Sequence, residues 1–322
     1  MGKIATLVLS VSLFSSVIFG AGITGADILK VDMGVRALAL GAAYTAAGND
    51  VDVINYNPAG LAFVNSINAK GYYVKNYAGA LDLELYNIAY AQPFETSFLE
   101  GTFAIAGTYR GMPTIMNPDA EDPGVAYNDI LVKVAYAVNS AKLAFIPWSE
   151  AKYLSLGIAA AAVIQQIGTY NTSSVLFDLG SQFVLYDTGI KLGLALQNIG
   201  PSVKFISEAS PLPLTLRVGT SYNVKVDKDN LFLLSFDYIQ DFYDYARLAA
   251  GIEDNIMEVF FIRAGYNTSV DTRNASYLSA GAGMTVKLLE TTLFLDYTFR
   301  LQIWNGFTGS QQSHLAGLGV KF

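Results

Sequence analysis

The chain has 322 residues, with 20 Lys and Arg against 27 Asp and Glu, and it contains no cysteine. A net charge of −7 excludes an electrostatic basis for nucleic-acid binding. Without cysteine there are no disulfides, and a single histidine, His314, leaves no His/Cys metal site. Ser310 and Ser313 lie near His314, but no acid completes a catalytic set, so we expect no enzyme and no cofactor.

Residues 1–21 predict a signal peptide. Lys3 is the one charge in this stretch, and the apolar run 4–19 is followed by the small residues Gly20-Ala21-Gly22. An uncleaved anchor is the alternative. Export is therefore expected, and together with the features below it predicts the outer membrane of a diderm bacterium.

Residues 22–65 differ from the rest because they are rich in small residues and do not alternate in polarity. We interpret them as a compact segment with helical turns. The stretch 42–47 is compatible with a helix, and Asn57-Pro58 favours a turn followed by a new helix start.

From residue 66 to residue 322 the chain consists of segments of about ten residues that alternate in polarity, as a transmembrane barrel requires. Hydrophobicity is spread over these segments, with 20 Tyr and 19 Phe in the chain. Lipid offers no water to open backbone groups, so such a sheet must close. The predicted strands, fourteen in all, are 66–78, 83–94, 101–110, 129–139, 153–167, 173–186, 189–199, 213–225, 230–240, 245–254, 257–267, 276–287, 291–301 and 313–322.

The alternation also sorts the side chains of each strand between lipid and lumen. An Arg or Lys on the lipid face at mid-membrane costs about 2–4 kcal/mol, so charged residues are expected to face inward. The residues expected in the lumen are Lys133, Arg217, Asp237, Arg247, Glu253, Arg263, Asp296 and Arg300.

Connection lengths predict the orientation of the barrel. The even connections are short, as at 187–188 and 254–255, whereas odd ones such as 111–128 and 200–212 are long. Short turns are typical of the periplasmic side, where both termini would then lie. The thirteen residues of 140–152 are an exception to this rule.

Several stretches in the same order resemble the PorV/PorQ branch of the FadL-like outer-membrane proteins. They are 34–46, 57–62, 196–206 with 211–219, 261–266, 295–299 and 317–322. The resemblance implies an all-β fold: a 14-stranded antiparallel transmembrane β-barrel (66–322) plugged by an N-terminal hatch (22–65). It also implies passage of hydrophobic small molecules past the hatch. The alternative, from the same branch, is a docking component for exported proteins or a secretion system, without small-molecule transport.

The resemblance implies that the hatch blocks the lumen, and within it Asn57, Pro58 and Ala59 match the Asn-Pro-Ala motif of the family's hatch. The other hatch residues of this set are Gly34, Arg36, Gly41 and Gly60. The motif either gates the lumen or serves as a structural turn, and the two roles are compatible. Arg36 is expected to pair with a wall carboxylate such as Asp237 or Asp296, or else to reach periplasmic water. The acids before the motif, Asp50 and Asp52, are split by Val51, so a role for an acidic pair is not predicted.

Aromatic residues near the outer loops could catch apolar ligands, or form the aromatic belt that anchors barrels at the interface. They are Phe242, Tyr243, Tyr245, Trp304 and Phe307. Phe322 ends the last alternating segment, and the resemblance implies that it is the signal for the outer-membrane assembly machinery. Expected partners are therefore membrane lipid, this machinery, a hydrophobic ligand or an exported protein. Asp119, Glu121 and Asp122 could form a carboxylate calcium site, but a solvated loop with turn-forming prolines is the simpler interpretation, and no metal is predicted.

Overall fold

A computed structural model describes residues 24–78, 81–96, 100–115, 125–139, 154–185, 188–205, 208–270, 276–303 and 310–322. The signal segment 1–21 and the exceptional connection 140–152 lie outside the described residues. Within these ranges no helix is long and apolar enough to cross a membrane.

The N-terminal part, residues 24–64, folds as short helical turns and is called the plug below. It contains helix α1 (Val35–Ala39) and three 3-10 helices, Asp27–Lys30, Val51–Asn55 and Pro58–Phe63. The last of these begins as predicted, because the Asn57 side chain accepts a hydrogen bond from the amide of Ala59 at 3.1 Å and Pro58 occupies the first turn. The stretch 42–47 is not a helix, since Gly41 and Ala42 have φ angles of 66° and 67°.

The remainder of the described chain is almost entirely β-structure. The strands are β1 (Asn68–Ala78), β2 (Leu81–Glu95), β3 (Glu100–Ile115), β4 (Val125–Asn139), β5 (Leu154–Ile167), β6 (Tyr170–Val184), β7 (Ile190–Ile199), β8 (Val203–Lys204), β9 (Ala209–Ser210), β10 (Thr215–Lys225), β11 (Asn230–Asp241), β12 (Arg247–Ile256), β13 (Phe260–Ser269), β14 (Ser276–Leu288), β15 (Thr291–Ile303) and β16 (Ser310–Lys321).

Fourteen of these strands close into one antiparallel barrel, which confirms the predicted fold. The last strand pairs with the first, from Asn68 opposite Lys321 to Asn76 opposite Ser313. Every strand follows its predecessor as neighbour except β10, which pairs with β7. The described strands agree with the predicted segments to within a few residues at most ends.

Two connections differ from the expected loops. The long connection 111–128 is partly strand, because β3 continues to Ile115 and β4 begins at Val125, with a register shift after Met112. The connection between β7 and β10 contains the small hairpin β8–β9. This hairpin places Val203 in the protein interior.

The barrel wall is apolar outside and polar inside, as period-two alternation requires. On the exterior, Ile88 is 70% and Leu318 58% exposed, whereas the inward side chains Asp237 and Thr298 are fully buried. We call the end of the barrel that holds Asn68 and Lys321 the terminal rim and the other end the far rim.

Candidate functional site

The plug runs inside the barrel from the far rim to the terminal rim. It begins at the β7–β10 connection, where the amide of Gly25 donates to the carbonyl of Pro211 at 3.0 Å. Helix α1 lies against β13, β14 and β15, and the turn Pro58–Phe63 lies against β4, β5 and β6. The side chain of Thr102 on β3 donates to the carbonyl of Val64 where the plug ends. The plug therefore contacts much of the inner wall.

Asp237 of β11 holds the middle of the plug. One carboxylate oxygen accepts hydrogen bonds from the amides of Tyr44 and Thr45 at 3.0 and 2.9 Å and from the Thr45 hydroxyl at 2.6 Å. A fully buried carboxylate is stabilised by such donors, and it fixes the backbone of the plug to the wall.

Arg36 joins the plug to a row of alternating charges on the wall. Its Nη2 and Nε lie 2.7 and 2.8 Å from the two carboxylate oxygens of Glu253. Arg263 continues the row, 2.5 Å from Glu253 and 2.6 Å from Asp296. Arg36 does pair with a wall carboxylate, as one of the two expectations had it, but the partner is Glu253 and not Asp237 or Asp296. The reason is that α1 directs the guanidinium to β12, while Asp237 is occupied by the plug backbone.

Asp50 and Asp52 of the plug share Lys70 of β1. The ammonium lies 2.7 Å from Asp50 Oδ2 and 3.3 Å from Asp52 Oδ2. Burial alone would raise the pKa of Asp50, but the charges of Lys70 and Arg36 outweigh it and hold that pKa below its usual range. Burial raises the pKa of Asp52 to about 6; Lys70 opposes the rise and the charge of Asp50 adds to it. Asp50 and Asp52, which Val51 separates in the sequence, are thus both held by Lys70 of the barrel wall.

The Asn57-Pro58-Ala59-Gly60 motif lies between plug and wall. Besides capping its helix, Asn57 donates from Nδ2 to the carbonyls of Thr45 in the plug and Ser181 in β6, each at 3.0 Å. These contacts fix the turn in position. A gating role for the motif stays a prediction.

Beneath the plug, the inner wall presents a band of glycines, which we call the glycine girdle. A Cβ atom added at any of its members would come within 2.8 Å of a plug atom. Some members are direct partners on adjacent strands, as Gly251 of β12 and Gly265 of β13 are. The girdle comprises Gly157, Gly180, Gly193, Gly219, Gly251, Gly265, Gly281 and Gly317.

The girdle lets the plug backbone lie directly on the wall. The amide nitrogen of Gly41 would be only 2.0 Å from a Cβ at Gly265. Sequence reasoning missed this set, although its signal was visible: glycines recur at inward positions of the alternating segments. Gly34 belongs to the plug itself and has a φ angle of 90°. A Cβ atom added there would likewise lie too close to a neighbour, the Asp52 side chain.

A cavity of about 350 Å³ lies on the far-rim side of the plug, and we call it the far-rim cavity. Its apolar lining comprises Leu29, Val31, Met33, Tyr56 and Leu131. Its charged lining comprises Lys30, Asp32, Lys133, Arg217, Asp241, Asp244 and Arg247. The cavity is therefore of mixed character, unlike a purely hydrophobic passage.

Asp32 of the plug is the central carboxylate of this cavity, and sequence reasoning had not singled it out. Oδ1 lies 3.1 Å from Arg217 Nη2, and Oδ2 lies 2.9 Å from Arg247 Nη1 and 3.3 Å from the Tyr277 hydroxyl. Burial would raise the pKa of Asp32, but Arg247 and Arg217 outweigh it and lower that pKa.

A second cavity, of about 230 Å³, lies on the terminal-rim side of the plug. Its lining includes Arg36, Asp50 and Lys70, together with Arg263 and Asp296 of the charged row. One cavity therefore lies on each side of the plug, and ion pairs between plug and wall line both cavities.

The other predicted site residues each make separate contacts in the structure. Lys133 pairs with Asp178 at 2.7 Å. Arg300 lies near the Ser313 hydroxyl, 3.4 Å away. Phe322 donates its amide to the carbonyl of Ile67 at 3.1 Å, and its side chain is exposed.

Of the outer aromatic residues, Tyr245 lines the far-rim cavity, and Phe242 and Tyr243 are half-buried beside it in the β11–β12 connection. Trp304 and Phe307 lie outside the described residues, as do the acids Asp119, Glu121 and Asp122. Among the residues that the structure places, no group of three or more acids and histidines could hold a metal ion.

Several solved structures that resemble this fold are described as toluene transporters or hydrocarbon channels. The toluene transporter TbuX of Ralstonia pickettii has a TM-score of 0.58 and 11% identity, over 90% of this chain and 97% of that chain. The chain has the FadL-like barrel fold. The toluene transporter TodX of Pseudomonas putida gives 0.56 and 11% over 90% and 97%, and a FadL homologue of Pseudomonas aeruginosa gives 0.54 and 10% over 87% and 95%. No protein-family model and no curated protein matches the chain. The narrower PorV/PorQ assignment stays a prediction.

Proposed function

We propose that the protein is an outer-membrane barrel for the uptake of small, largely hydrophobic molecules, and that the plug controls their passage. The observation that carries this proposal is the plug itself, which lies between a cavity at the far rim and a cavity at the terminal rim. A barrel closed in this way is suited to selective passage and unsuited to free diffusion of water and salts.

Two further observations support the proposal. The exterior presents large apolar side chains such as Ile88 and Leu318, as contact with lipid requires. The fold is shared with structures described as toluene transporters, although identities of 11% support the fold alone. The size of the ligand follows from the far-rim cavity, whose 350 Å³ is near the lower end of small-molecule sites.

In the proposed orientation, the far rim faces the cell exterior and the terminal rim faces the periplasm. The described turns at the terminal rim are short, as at 226–229 and 289–290, which is typical of the periplasmic side. A ligand would then enter the far-rim cavity first. Because the plug contacts the wall through the glycine girdle, we infer that the ligand passes when part of the plug shifts.

The proposal is tested by uptake of a radiolabelled monoaromatic compound into cells of a porin-poor strain that produce the protein. We expect a higher initial rate of uptake than in cells carrying the empty vector. The folded barrel is verified in the same membranes by heat-modifiable migration on a gel. An unchanged rate with the folded barrel present in the outer membrane would refute uptake as the function.

A further inference from the structure

Ionisable side chains lie on the lipid-facing surface of the barrel at the seam where β1 pairs with β16. Lys75 of β1 is directly opposite His314 of β16 on one side and Glu84 of β2 on the other. Directly opposite residues share one face of a sheet, and period-two alternation places His314 with Leu318 and Glu84 with Ile88. Because Leu318 and Ile88 are exposed on the exterior, all three ionisable residues face outward. We call Lys75, Glu84 and His314 the seam cluster.

The carboxylate of the seam cluster orders a row of tyrosines. Glu84 accepts hydrogen bonds from the Tyr73 hydroxyl at 2.9 Å and from the Tyr86 hydroxyl at 3.0 Å. The centres of these two rings are 5.0 Å apart, and the ring of Tyr109 on β3 follows 6.3 Å from that of Tyr86. Tyr109 in turn donates to the Asn128 side chain at 2.6 Å. Three strands thus present adjacent aromatic rings whose hydroxyls are fixed by polar partners.

The histidine of the seam cluster is oriented in the same way. Its Nδ1 lies 2.6 Å from the Tyr297 hydroxyl, and the centre of its ring lies 5.4 Å from that of Phe299. When Tyr297 donates to Nδ1, the ring proton is on Nε2, which is then a donor to a group outside the barrel. The His314 side chain is exposed. It lies near the far rim, because β16 begins at Ser310 and β1 ends at Ala78.

The position of these charges indicates contact with a polar headgroup. An ionised side chain within the hydrocarbon is unfavourable, and such residues in membrane-spanning segments mark functional sites. An aromatic belt alone requires Trp and Tyr at the interface, without a Lys and a Glu in register. In the proposed orientation the far rim lies in the outer leaflet, so lipid headgroups of that leaflet are the groups within reach of Lys75.

We propose that the seam cluster binds the phosphorylated sugar headgroup of a glycolipid. Lys75 and His314, from two adjacent strands, donate to phosphate oxygens. The tyrosine row offers aromatic faces to the apolar side of a sugar ring, and Glu84 accepts from sugar hydroxyls. The acid favours a phosphorylated sugar over a bare phosphate, which a carboxylate would repel. The acyl chains continue along the apolar exterior at Ile88 and Leu318.

This site is separate from the lumen and goes beyond the proposed uptake. A headgroup held there would contact β16, β1 and β2, the strands at which the barrel closes. Its binding requires no movement of the plug. Uptake without glycolipid binding would therefore refute only the seam site, and glycolipid binding without uptake would refute only transport.

The experiment is titration of the purified full chain in detergent with lipid A that carries two phosphates, followed by native mass spectrometry, which counts the lipids bound to each barrel. Dephosphorylated lipid A and phosphatidylglycerol, an anionic lipid without a sugar, are titrated in parallel. We expect the Kd for the phosphorylated form to be about tenfold lower than for either, as one charge-assisted hydrogen bond predicts. Inorganic phosphate should not displace it.

Lys75→Gln should raise the Kd for phosphorylated lipid A about tenfold and leave that for the dephosphorylated form unchanged. Lys228→Gln, the same change in an exposed turn at the terminal rim, should alter neither. Heat-modifiable migration verifies that each variant is folded. Equal Kd values for lipid A with and without phosphates, or for lipid A and phosphatidylglycerol, would overturn the proposal and leave an aromatic belt only. This comparison uses the unaltered protein, so it does not depend on whether a variant folds.

Discussion

Asp32 in the plug and Arg217 in β10 are separated by 185 positions in the chain, and their side chains meet at 3.1 Å inside the barrel. The same carboxylate reaches Arg247 of β12, so one acid ties the far-rim part of the plug to two strands. These ion pairs hold the plug to the wall at the far rim, where a ligand is proposed to enter.

Replacing Asp32 with Asn should loosen this end of the plug. The change leaves two arginines without their shared anion, and Arg217 is almost fully buried. We expect a loss of about 3 kcal/mol, at the lower end for a broken buried pair because the Arg247 side chain is 27% exposed. The measurement is the temperature at which the folded band converts to the unfolded band on a gel. Asp227→Asn, in an exposed turn, is the control, and equal midpoints for the two variants would contradict the assigned role.

The pKa values of the two acids that share Lys70 are shifted in opposite directions, so their Asn variants should change stability in opposite directions. Because burial raises the pKa of Asp52 to about 6, from a usual value of 3.8, its ionised form destabilises the folded state as pH rises through this window. Asp52→Asn should therefore stabilise the protein more at pH 7 than at pH 5.

Asp50 provides the matched comparison, because its pKa is lowered and its ionised form stabilises the folded state above the unfolded pKa of 3.8. Asp50→Asn should lower stability at both pH 5 and pH 7. Thermal midpoints in detergent at the two pH values measure both effects. A gain from Asp52→Asn that is independent of pH would show that its proton affinity is ordinary.

The glycine girdle predicts that replacing a girdle glycine with alanine destabilises the protein more than replacing a glycine outside the girdle. Gly265→Ala would place a Cβ 2.0 Å from the amide nitrogen of Gly41 and should cost about 1–3 kcal/mol, because the plug backbone must move away. At Gly71 the nearest atom to such a Cβ is 3.6 Å away, so Gly71→Ala should change stability by less than about 0.5 kcal/mol. Thermal midpoints compare the two, and similar losses would mean that the plug does not rest on the wall as described.

The barrel could be predicted from the sequence because its physical signal is local. Each strand must alternate between lipid and lumen, and Leu234 and Asp237 in β11 illustrate the two faces. The start of the last plug turn was also predictable, since Asn57 and Pro58 carry their own capping chemistry.

The interior of the site was not predictable in the same way, because the path of the plug through the lumen determines its contacts. Arg36 has several carboxylates within the barrel that could pair with it, and the direction of α1 selects Glu253. Asp32 carries no local pattern that indicates two arginine partners. The girdle glycines could not be identified as contact positions from the sequence, because that requires the position of the plug backbone against the wall.

The central claim, that passage requires the plug to shift against the wall, is tested most directly by a reversible lock. The chain has no cysteine, and a Cβ at Gly317 would lie 3.5 Å from the Cβ of Val35, within the range of a disulfide. Cells producing the double variant Val35→Cys/Gly317→Cys would be assayed for uptake of a monoaromatic compound, with each single variant as a control. We predict that oxidation abolishes uptake in the double variant alone and that a reductant restores it. Uptake that continues at the unlocked rate through a barrel with the disulfide formed would contradict the account.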